Sequence, residues 1–143
     1  MADMTEIEKQ AKDAVAACIQ SDPGAGAVRT VPVMCQQISS ATRLNKEPKD
    51  AVIAVCRGSM HAVLLAGQSV PDAAVALLDA LPNISLMMRS GPEDLMSWVM
   101  QGFAEATKMA PADVREGVRV KIEEKFMGAS AIFDELCRAA DAK

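Results

Sequence analysis

The feature that most constrains this fold is one nearly uninterrupted apolar run, PKDAVIAVCRGSMHAVLLAG, which extends from Pro48 to Gly67. Between Ala51 and Ala66, only Arg57, Ser59 and His61 carry strongly polar side chains. A helix that is apolar around most of its circumference must be covered by other elements on most sides. The run therefore predicts the central helix of an all-α domain.

The composition favours one domain built from closely packed helices. The chain has 143 residues, the usual size of a single domain, and half of them are apolar. Its aromatic residues are three Phe and one Trp, whereas it has ten Met. The core must then be built from small and aliphatic side chains and Met, which suits helices that approach one another closely. We expect residues 1–143 to form a single compact bundle of five to six helices.

Prolines and capping residues mark where the predicted helices begin. Thr5 and Glu8 have the spacing of a capping box, in which the hydroxyl and the carboxylate bind free backbone N–H groups at a helix start. Asn45 and Ser90 are candidate caps of two later helices. Apolar periodicity then predicts helices over roughly residues 5–20, 30–44, 48–67, 69–81, 93–109 and 111–140.

Two positions predict interruptions in this series. Pro82 should end the fourth helix, because proline lacks the backbone N–H that an interior position donates, and a short further turn can follow from Ile84. Gly128 lies inside the long apolar seam of the last helix, so a kink or a division into two helices is expected near it.

Some residue types recur at a fixed interval in the sequence, which offers a repeat fold as an alternative to a simple bundle. Pro48, Asp50, Val55 and Gly58 are each followed by the same residue type 44 positions later. A period of about 44 residues is typical of helical-hairpin repeats of the HEAT or armadillo type. The matched residues are common types, so this alternative assigns no functional residue.

Charge and cysteine content exclude several functions and locations. The formal charge of −4 gives no long-range attraction for nucleic acid or anionic lipid. The run between Ala51 and Ala66 is shorter than the roughly 20 residues that span a bilayer, and the acidic N-terminus does not resemble a signal peptide. The four cysteines lie far apart in the sequence, which favours free thiols. We predict a soluble cytoplasmic protein that binds neither nucleic acid nor membrane.

Motifs for metal, nucleotide and hydrolytic chemistry are missing from the sequence. The chain has one histidine, and it contains no HExxH, no zinc-type cysteine spacing, no Walker loop and no GxSxG. The glycines at 24 and 26 form a GxG that lacks the remaining residues of a phosphate loop. We therefore expect no metal and no cofactor, and we assign no catalytic residue.

One polar stripe on the apolar run is the first candidate site. Arg57 and His61 are separated by four residues and share a helix face, which Asp50 and Gln68 extend. If this face lines a pocket, Arg57 could bind an anionic small molecule and His61 could transfer a proton near neutral pH. The alternative is a solvent-facing edge on which Arg57 pairs with Asp50 or with a neighbouring helix.

A methionine-rich segment is the second candidate site. Five of the ten methionines lie between residues 87 and 109. Methionine side chains are flexible and polarizable, and they suit adaptable apolar grooves as well as ordinary cores. We predict a non-enzymatic module that binds a partner protein, or itself as an oligomer, through an apolar face. The residues assigned to this face are Met87, Met88, Met96, Trp98 and Met100.

Overall fold

The computed structural model describes residues 3–22, 24, 26–44, 47–88 and 91–142, with the side chains of residues 44, 87 and 88 excepted. Over these ranges the fold is all-helical and has no strand, as the sequence predicts. The α-helices are α1 Met4–Ser21, α2 Val31–Leu44, α3 Pro48–Leu65, α4 Val70–Met88, α5 Pro92–Thr107, α6 Ala112–Lys125 and α7 Ala129–Asp141, and a 3₁₀ turn Ala27–Thr30 precedes α2.

The helices pack as two rows. α1, α3, α5 and α7 lie side by side in chain order, and α2, α4 and α6 form the second row against them. Ion pairs join Asp72 to Lys121 and Asp79 to Lys125, so α4 and α6 run in the same direction. Helices α1, α3 and α5 begin at residues 4, 48 and 92, two equal intervals of 44 residues. The interval of 44 residues noted in the sequence thus recurs in the starting positions of these three helices.

Helix α3 is the central element, as its apolar run predicts. It packs against α1 and α5 on either side and against α2 and α4 in the second row. All its residues from Ala51 to Val63 are buried except Arg57 and His61. Burial on four sides explains why so little of α3 is polar.

The number of helices differs from the prediction of five to six. The structure describes seven, because the predicted last helix is divided into α6 and α7. Gly128 lies between them with φ of 90°, a left-handed conformation that costs glycine little and other residues more. The seam of the predicted helix still faces the core on both sides of the break, where Ile122 and Phe133 are fully buried.

Helix α4 does not end at Pro82, which corrects the predicted boundary. It continues to Met88 with Pro82 inside it. An interior proline costs a helix about 3 kcal/mol. Leu81 and Ile84 on either side of it are buried whereas Pro82 is exposed, and this burial offsets the lost backbone hydrogen bond.

The start of α1 also differs from the predicted capping box. Asp3 is the N-cap, and its carboxylate accepts a hydrogen bond of 2.8 Å from the backbone N–H of Glu6. Thr5 lies inside the helix, and the Glu8 carboxylate binds Arg57. The other two predicted caps, Asn45 and Ser90, lie outside the described residues.

Candidate functional site

Arg57 joins three helices of the first row. It projects from α3, where its Nε donates a hydrogen bond to Glu8 of α1 and its Nη1 donates one to Glu105 of α5. The second carboxylate oxygen of Glu105 accepts a hydrogen bond of 3.2 Å from Gln101 Nε2, one turn earlier on α5. Arg57, one residue of the polar stripe, therefore pairs with the neighbouring helices on both sides of α3.

Burial and pairing act in opposite directions on Arg57. Burial by itself would lower the pKa of the guanidinium, but the hydrogen bonds and charges of Glu8 and Glu105 outweigh it and raise that pKa. The side chain of Arg57 is 27% exposed, so solvent screens both ion pairs in part. Arg57 therefore remains a cation at every physiological pH, and its charge is opposed by two carboxylates.

A shallow depression of about 210 Å³ lies beside Arg57. Its lining residues come from α1, α3 and α5, and they are Met4, Asp50, Ile53, Arg57, Gln101 and Glu105. His61 lies one turn further along α3, half-buried and outside this lining. Gln68 follows the end of α3, where its backbone N–H bonds to Val63 O at 3.1 Å. The structure thus brings Arg57 and Asp50 together and leaves His61 and Gln68 outside the depression.

The cysteine environments favour protonated thiols. All four cysteines are free, and Cys56 and Cys137 are buried. Burial raises the pKa of Cys56 well above its usual range and raises that of Cys137 to about 11. The pKa of Cys35 is raised as well, chiefly by burial. A nucleophilic cysteine needs a lowered pKa, which these three do not have.

The described part of the chain has no group of three or more His, Cys, Asp or Glu side chains placed to hold a metal ion. None of the described helices combines the length and the hydropathy that a bilayer crossing requires.

The five residues predicted to form an apolar face do not share one surface. Met100 is 1% exposed and belongs to the core. Met96 and Trp98 are partly buried and pack against the core, but a separation of two residues places them on opposite sides of α5. Met87 and Met88 lie in the last turn of α4, and their side chains are outside the described set. Met109, in the same segment, follows α5 and is 83% exposed.

Helix α4 carries an exposed line of side chains that was not predicted from the sequence. Leu86, next to the two methionines, is 87% exposed. It continues a line with steps of three and four residues along the outside of the helix, which we call the outer line of α4. Its members are Asp72, Val75, Asp79, Pro82 and Leu86, all exposed or half-buried. Their alternating spacing is readable in the sequence, but it was hidden by the stronger apolar periodicity of the buried face.

A groove between α4 and α6 runs along the first part of this line. It has a volume of about 280 Å³ and an apolar floor made by Val75 and Ala76 of α4 and by Val28 of the 3₁₀ turn. Val28 is 54% exposed. Two ion pairs border the floor, Asp72 with Lys121 at 3.6 Å and Asp79 with Lys125 at 3.9 Å. We call this depression the α4–α6 groove.

Comparisons with known proteins add no relative to this description. No protein-family model, curated protein or solved structure gives a significant match to the chain. The functional interpretation therefore depends on the geometry of the described residues.

Proposed function

We propose that this protein is a non-enzymatic helical module that binds a partner protein through the exposed end of α4. The observation that carries the proposal is Leu86, a large apolar side chain that is 87% exposed beside Met87 and Met88. Burying such a side chain against a partner is worth about 1.5–3 kcal/mol. Exposed apolar side chains that cluster commonly mark an interaction site, and Met87 and Met88 follow Leu86 in the sequence.

The position of this end within the fold supports the proposal. Lys125 ends α6 and pairs with Asp79, so the nine residues of α4 after Asp79 extend past the end of α6. They stay helical because Leu81 and Ile84 are buried on the inner side. The extension therefore presents its outer side on a rigid element.

The surroundings of Arg57 and of three cysteines also favour a binding role over catalysis. Arg57 is engaged by two glutamates, and burial keeps three of the thiols protonated. The alternative of a small-molecule site at Arg57 and His61 would place an anion at a guanidinium whose charge is already opposed by two carboxylates. A partner-binding role at the end of α4 does not use this guanidinium.

Site-specific photocrosslinking tests the proposal. A photoreactive amino acid replaces Leu86 in one protein and Gln10, an exposed residue of α1, in the control. We expect a discrete adduct from position 86 only, and a doubled mass would identify a second copy of the chain as the partner. The protein identified in the adduct is then purified, and Leu86→Glu should weaken its binding about tenfold. No adduct specific to position 86, or unchanged binding by Leu86→Glu, would contradict the proposal.

A further inference from the structure

We draw no further inference here: the strongest candidate, a cavity of about 280 Å³ between α5, α6 and α7 that is lined by Lys108, Arg115 and Arg119, selects no anionic ligand, because each of these cations is already engaged by a carboxylate or a backbone carbonyl of the protein itself.

Discussion

Gly58 of α3 lies directly against the backbone of Glu8 in α1. A Cβ atom at position 58 would overlap the carbonyl oxygen of Glu8 and lie 3.0 Å from its carbonyl carbon. Gly102 of α5 makes an equally close approach on the other side, where a Cβ atom would lie 2.5 Å from the Cβ of Cys56. These two glycines let α3 pack closely between its neighbours, which brings Glu8 and Glu105 within reach of Arg57.

Gly58→Ala should destabilise the protein by about 1–3 kcal/mol, the usual cost of overpacking a tight contact. The direction of the change in the free energy of unfolding is informative, because Gly→Ala in an exposed helix interior stabilises a protein by about 0.5–1 kcal/mol. Urea unfolding followed by circular dichroism measures the difference. Gly117→Ala is the comparison, since its Cβ would meet only side-chain atoms of Pro71, at 2.9 Å, and should cost less. A more stable Gly58→Ala protein would show that α1 and α3 are further apart.

Arg57→Met should destabilise the protein by about 1–2 kcal/mol, because Glu8 and Glu105 lose their shared partner in a partly buried position. Arg57→Lys should recover only part of this loss, since one ammonium does not reproduce the fork of a guanidinium. Adding Glu105→Gln to Arg57→Met should cost less than Glu105→Gln alone. Free energies from urea unfolding of the parent, the two single variants Arg57→Met and Glu105→Gln, and the double variant test the coupling. Strictly additive values would mean that the Arg57–Glu105 ion pair contributes nothing.

Glu123→Gln should destabilise the junction between α6 and α7 at neutral pH. The Glu123 carboxylate accepts hydrogen bonds from the Ser130 hydroxyl at 2.7 Å and from the Gly128 N–H at 3.0 Å, and these lower its pKa. A lowered pKa in the folded state gives stability that is complete above the unfolded pKa and is lost as the pH falls through the folded value. The difference in melting temperature between Glu123→Gln and the parent should therefore vanish in acid.

The adjacent Glu124 provides the control for this experiment. It is exposed on the same turn of α6. Glu124→Gln should leave the melting temperature nearly unchanged between neutral and acidic pH. If the two variants behave alike, the Glu123 carboxylate does not cap α7.

Ser59→Ala and Thr107→Val should have opposite effects on stability. The Ser59 hydroxyl is buried and has no hydrogen-bond partner among the described residues, so its removal should be neutral or stabilise by up to about 1 kcal/mol. The Thr107 hydroxyl donates to Phe103 O at 2.8 Å and accepts from Arg115 Nε at 3.1 Å. Thr107→Val keeps the shape but leaves Arg115 short of an acceptor, which should cost about 1–3 kcal/mol. Chemical denaturation of both variants checks the difference.

Local patterns predicted most of the helices because their causes lie within a few residues. The apolar run of α3, the proline at its first turn and the left-handed glycine at 128 each act through neighbours in the sequence. Pro82 is a position where local patterns did not predict the observed helix. Its local cost led to the wrong prediction of a helix end, because the burial of Leu81 and Ile84 depends on helices distant in the chain.

The candidate sites were less predictable than the helices. Arg57 was identified from the sequence as one of the few polar side chains on an apolar helix. Its partners Glu8 and Glu105 are 49 and 48 residues away, and no sequence spacing indicates them. The methionine-rich segment was taken as one face although it covers the end of α4 and two sides of α5. Met100 is buried in the core while Met96 and Trp98 are partly buried, and such differences in exposure are a property of the packed molecule.

By itself, the sequence determined that this chain is all-helical and that α3 is its centre, because periodicity and apolar content act locally and are written in the order of residues. Only the tertiary structure decided that Arg57 of α3 pairs with glutamates from α1 and α5 and that one line of α4 side chains faces outward. The reason is physical: which helix covers which face depends on contacts between distant residues, such as the close approach of Gly58 to Glu8.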